Sequence, residues 1–144
     1  KYYGCREYGD FYAKAMSVFG KKYLERWKPD LIVPVPLHPR KKRMRGFNQA
    51  AYLAERLSVL TGIPWNEHLV KKIRSTRSQK KLNAIQRRQN LKNAYQVTEK
   101  IPGFSVLVVD DVYTTGSTAD AMAMCLLEAG AEKVYFLTIC AGRA

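Results

Sequence analysis

The chain has 144 residues, enough for one domain that buries about two-thirds of its unfolded surface. Its apolar fraction of 47% is that of an ordinary globular protein. No run reaches the roughly eighteen apolar residues of a spanning helix, which argues against membrane insertion. The net charge of +13 excludes an acidic surface and directs attention to anionic partners. The three cysteines, Cys5, Cys125 and Cys140, are odd in number and far apart, which speaks against a disulfide framework and for the reducing cytoplasm. Cys125 and Cys140 stand in apolar sequence and are expected in the core. The first residues lack an initiator Met and a signal-peptide apolar stretch, as though a preceding segment had been removed or left out.

In chain order, the spacing of Phe11, Ala15, Val18, Phe19, Tyr23 and Leu24 predicts one amphipathic helix over 9–27. Lys28-Pro29-Asp30 ends it. Residues 31–36 read as a short strand, kept at a strand end or beside irregular backbone by Pro34 and Pro36. Residues 37–46 read as a basic loop. Asn48 is placed to cap a helix from Gln49 to about Leu60, with Ala51, Leu53, Ala54 and Leu57 inward, and Gly62 with Pro64 stops it. Residues 69–73 are a plausible strand, 74–82 a mobile loop, 83–93 a short helix, and 95–97 a brief strand. After a turn at 101–104 come a buried strand over 105–109, a helix over 117–128 closed by Gly130, and an apolar strand over 133–140. Strands alternating with helices predict an α/β fold with an open, mostly parallel twisted sheet flanked by helices. Ligands collect beyond the carboxyl ends of strands in such sheets. The loops at 37–46, 74–82 and 110–118 are therefore expected on one edge.

The charge is segregated. No acidic residue occurs over 31–54 or over 68–98, and those two stretches hold fourteen of the twenty-five basic side chains. Such one-signed runs mark a phosphate or polyanion site more than a mixed solubilising face. Lys41, Lys42, Arg43, Arg45, Arg87 and Arg88 are the candidate nucleic-acid contacts, and Phe47, Tyr52, Trp65 and Tyr95 are aromatics that could stack bases or pack in the core.

The most informative segment runs from Val106 to Thr118. Four β-rich apolar residues lead to Asp110 and Asp111, then Val112 and Tyr113, then a loop of hydroxyl residues around Gly116 at the start of a helix. Successive N–H groups at a helix N-terminus favour an anion, and the carboxylates can accept ribose hydroxyls or hold Mg²⁺. The plainer alternative is a strand–turn–helix junction with Ser117 or Thr118 as N-cap. The segment resembles the phosphoribosyl pyrophosphate (PRPP) motif of type I phosphoribosyltransferases. That resemblance implies that Asp110 and Asp111 contact the ribose hydroxyls, that Thr114, Thr115, Gly116, Ser117 and Thr118 wrap the 5′-phosphate, and that Mg²⁺ takes part. Tyr113 departs from the aliphatic residue usual there and marks a subfamily.

Val33-Pro-Val-Pro-Leu-His-Pro-Arg40, then Arg43-x-Arg-Gly-Phe-Asn-Gln49, and Thr76-x-x-Gln79 with Arg87 and Asn90, narrow the resemblance to the competence protein F family. It covers essentially the whole chain as a single domain over 1–144. The family implies a role in DNA uptake and natural transformation, single-stranded DNA as ligand, and a competence helicase as partner. By the same resemblance, Pro36, Leu37, His38, Pro39 and Arg40 form the pyrophosphate loop, and 74–82 closes over PRPP. A transferase would neutralise the departing pyrophosphate with Arg40, Arg77 and Lys80 as its catalytic residues. The acceptor is not named by any residue. His38 is equally readable as a proton donor or as a structural turn residue. Family members usually begin with a four-cysteine zinc finger, of which this chain holds no Cys-x-x-Cys pair.

Overall fold

The structure, a computed structural model, describes residues 6–74 and 94–142. In chain order its elements are α1 (Arg6–Phe19), α2 (Lys21–Trp27), β1 (Leu31–Pro34), α3 (Pro39–Arg45), α4 (Gln49–Thr61), β2 (Val70–Lys72), β3 (Tyr95–Val97), β4 (Ser105–Tyr113), α5 (Ser117–Glu128) and β5 (Lys133–Ala141). β4 lies between β1 and β5 in a parallel sheet, with Leu31 opposite Val106 and Ser105 opposite Lys133.

Period-two alternation along β4 explains the layers. Val106 and Val108 join Val33, Met122 and Leu126 on one face, under α5 and the β2–β3 hairpin. Leu107 and Val109 join Ile32, Leu53 and Leu57 on the other, against α1, α2 and α4. All four β4 residues are fully buried, as the strand of a sheet covered on both faces must be. Burying each such side chain stabilises by about 1.5–3 kcal/mol.

Several expectations hold closely. α4 starts where Asn48 caps it, its side chain accepting from the Ala50 N–H at 3.2 Å, and ends at left-handed Gly62. Ala51, Leu53, Ala54 and Leu57 are buried. β3 and α5 have the expected bounds, and β5 runs one residue further.

Others do not. The expected helix over 9–27 is two helices, broken at buried Gly20, where a Cβ would come within 2.4 Å of the Met16 carbonyl oxygen. Its inward face also differs from the expected one. Ala13, Met16 and Leu24 are buried, while Phe11, Val18, Phe19 and Tyr23 are exposed, because α1 lays the Gly9, Ala13 and Met16 side of the helix on α4. Residues 39–45, expected as loop, form α3: Pro39 occupies the first turn, and Gly46 takes the left-handed conformation (φ 82°) that ends it. β2 and β3 do not join the parallel sheet. They form a separate antiparallel pair, with Val70 opposite Val97 and Lys72 opposite Tyr95. Among the described residues, the loops after β1 and β4 leave the carboxyl edge of one sheet; most of the loop over 74–82, with the helix expected over 83–93, lies outside the described residues. Cys140 is exposed rather than in the core, because it stands near the end of edge strand β5, and Cys125 is half-buried.

Candidate functional site

β4 does not stop before the acidic pair. It continues to Tyr113, paired with β5 as far as Ala141, so both carboxylates stand within a strand. Strand alternation gives them opposite parity, yet the two carboxyls still meet in a side-chain hydrogen bond. Asp110 has the parity of Val106 and Val108 and lies on the α5 and hairpin side. Asp111 has the parity of Leu107 and Val109. The Asp111 N–H donates to Asp110 Oδ1 at 2.9 Å. Burial, and then the charge of Asp111, push the Asp110 carboxyl up to about 7; the Asp111 N–H and Lys72 oppose this.

Beyond Tyr113 the loop folds into α5 through Gly116, whose φ of 77° suits glycine. No side chain caps α5, so neither Ser117 nor Thr118 is its N-cap. The Thr115 and Ser117 hydroxyls hydrogen-bond each other at 2.9 Å. The Tyr113 ring meets Phe136 edge-on at 6.2 Å and its hydroxyl lies over Gly116. A cavity of about 20 Å³ remains among Asp110, Thr114, Gly116 and Thr118. That is room for about one water.

The Pro36–Pro39 segment lies on the same sheet edge and walls a larger cavity of about 120 Å³, together with Lys42, Glu67, Lys71 and Lys72. His38 caps α3, its Nδ1 accepting the Arg40 N–H at 3.3 Å, which is a structural role. Arg40, Lys41 and Arg43 are exposed, and Arg45 is partly covered. Lys42 is ion-paired to Glu67 at 2.7 Å. Arg77, Lys80, Arg87 and Arg88 lie outside the described residues. Of the four aromatics, Tyr95 is buried in the core under α5, Trp65 packs against the core on the other face of the sheet, and the Tyr52 hydroxyl donates to Asp10, leaving Phe47 the most open to solvent.

Two residues outside those expected to bind PRPP join the site. Lys72 and Tyr95 face each other across the hairpin, with Lys72 Nζ 3.4 Å from the Tyr95 hydroxyl and 5.2 Å from its ring centroid. Burial and the charge of Lys41 lower the Lys72 pKa, against the pull of Asp110. Burial, then Asp110, raise the Tyr95 phenol to about 12, and a hydrogen bond with Thr118 opposes them. Only the cross-strand register reveals this grouping; the sequence shows a lysine in a basic run and an aromatic in a short strand.

The phosphoribosyl transferase domain family matches residues 6–144. The chain is 41% identical over 112 residues to DNA utilization protein YhgH of Escherichia coli (strain K12), covering 78% of this chain and 49% of that protein. It is 40% identical over 109 residues to competence protein F of Haemophilus influenzae, covering 74% and 48%. It thus spans about half the length of these relatives. A purine phosphoribosyltransferase from Pyrococcus horikoshii superposes with a TM-score of 0.53 at 19% identity, over 89% of this chain and 71% of that one, and so shares the fold. The parallel sheet, the acid-bearing central strand and the glycine loop behind it are thus those of a type I phosphoribosyltransferase fold, and this chain belongs to the phosphoribosyl transferase domain family, in the branch of competence protein F.

Proposed function

We propose that the chain binds PRPP with Mg²⁺ and acts as a phosphoribosyltransferase whose acceptor is still to be found. The reading rests on one observation: Asp110 lines the small cavity of the 114–118 loop, on the sheet edge where Pro36–Pro39 walls the larger one. The 5′-phosphate takes the N–H groups of the 114–118 loop, the ribose lies along the acidic pair, and the diphosphate turns toward 36–40. Asp110 and Asp111 suit Mg²⁺, which takes oxygen ligands and keeps much of its coordination for water and substrate phosphate. Among the described residues no cluster of three or more ligating side chains offers an all-protein cage. The ion, when bound, offsets charge on the diphosphate. Its site residues neutralise and orient, and no side chain need act as nucleophile. The free cysteines of the described residues accord with work in the cytoplasm.

Titration calorimetry with PRPP, with and without Mg²⁺, tests this. Saturable, metal-dependent binding that vanishes in Asp110→Asn with Asp111→Asn supports the site. No binding by the wild type under either condition removes it.

A second reading, binding of single-stranded DNA, is favoured by exposed Lys41 and Arg43 on α3 within a stretch free of acidic residues, and by relatives named for DNA utilization and competence. Charge reversal at Lys41, Lys42 and Arg43 then weakens oligonucleotide binding and flattens its salt dependence. The acidic double variant leaves it intact or slightly stronger. Equal loss of both ligands in the acidic variant would sink the two-site view.

A further inference from the structure

Lys72 is half-buried, yet among the described residues no carboxylate lies within ion-pair distance of it. Covering an ammonium without a counter-ion is costly. What surrounds it instead is the Tyr95 hydroxyl at 3.4 Å, the Tyr95 ring, the more distant charge of Asp110, and the repelling charge of Lys41. Lys71 and Lys72 both line the larger cavity, where the other lysine, Lys42, is paired to Glu67, so the cavity presents ammonium groups for an anion. Lys72 also walls the larger cavity next to Pro36, Leu37 and Pro39, and it is close enough to Asp110 for the charges to interact.

Tyr95 is 7% exposed, and its hydroxyl meets Lys72 on one side and Thr118, in the first turn of α5, on the other. One phenol therefore ties the hairpin to the phosphate loop.

We infer that Lys72 is a binding residue for the diphosphate end of PRPP, and that Tyr95 is a positioning residue that holds it in line with the 5′-phosphate loop. This rests on the PRPP reading above and adds two residues to it. The hairpin is not hydrogen-bonded to the parallel sheet but packs with α5 in one core. The Lys72–Tyr95–Thr118 chain adds a polar link to that packing, so both ends of one ligand can be met together.

The test uses the whole chain and three probes: Mg²⁺-PRPP, pyrophosphate and ribose 5-phosphate. Lys72→Met is expected to weaken PRPP and pyrophosphate by about tenfold or more, the scale of a lost charged hydrogen bond, while ribose 5-phosphate changes by less than about twofold. Lys72→Arg restores most of the loss. Tyr95→Phe keeps the packed ring, weakens PRPP by a smaller factor, and adds little to Lys72→Met, because the two act as one unit. Thermal melts accompany each variant, and Lys72→Gln replaces Lys72→Met should the latter not fold. Unchanged PRPP affinity in a folded Lys72 variant overturns the assignment, as does an equal loss of ribose 5-phosphate, which marks a purely structural lysine. A wild type that binds none of the three probes overturns the PRPP reading itself, and this inference with it.

Discussion

The hydroxyl of Tyr113 lies 2.6 Å from where a Cβ on Gly116 would stand. Gly116 is thus constrained twice, by that contact and by its φ of 77°. Gly116→Ala is expected to destabilise by about 1–2 kcal/mol and to abolish ribose 5-phosphate binding, because the loop must shift. In a Tyr113→Phe background the clash eases but the backbone strain stays. Melting curves of the two single variants and the double variant should therefore recover only part of the loss; full recovery would show that the contact alone mattered.

In the ligand-free protein Asp110 keeps its proton up to about pH 7, through burial and the neighbouring Asp111. An unfolded aspartate titrates near pH 3.9, so between these values the folded state holds the extra proton. Its contribution to stability is complete below about pH 3.9 and lost as the pH rises through about 7. Asp110→Asn should therefore melt several degrees above wild type at about pH 8, the gap narrowing steadily on acidification. A gap independent of pH would assign the effect to packing.

Asn48 is buried and joins two parts of the site edge: its Oδ1 caps α4, and its Nδ2 donates to the Val35 carbonyl at 3.0 Å. Asn48→Ala removes a cap and leaves a buried carbonyl without its donor, costing about 2 kcal/mol. Urea denaturation should show that loss with an unchanged slope. PRPP affinity should also fall, since Val35 leads into the 36–40 segment.

The Lys42–Glu67 pair, at 2.7 Å, is partly exposed and engages a cation otherwise available to a polyanion. Glu67→Gln should cost less than about 1 kcal/mol of stability. It should tighten binding of a single-stranded oligonucleotide a few-fold and steepen the salt dependence by about one ion, as read by anisotropy across a salt series. Unaltered salt dependence would place Lys42 outside any nucleic-acid contact.

The motif from Val106 to Thr118 was legible because each feature is local. A β-branched run, two adjacent carboxylates and a glycine before an apolar helix need no knowledge of distant residues. α4 was legible for the same reason, with Asn48 at one end and Gly62 at the other. α3 was missed because five cations in six positions outweighed Pro39 and Gly46 as boundary signals. The inward face of α1 was not legible because its aromatics outnumber Ala13 and Met16, whereas close approach to α4 put the Gly9, Ala13 and Met16 side inward.

Sequence alone determined the family, the central strand, the glycine loop and the segregation of charge, since each is written in contiguous residues. Tertiary structure decided what those parts face. Extension of β4 to Tyr113 set Asp110 beside the 114–118 loop and within reach of the charge of Lys72, and antiparallel pairing set Lys72 against Tyr95. Both depend on register between segments, and register arises from burying two faces of a sheet at once, which no single stretch of chain contains.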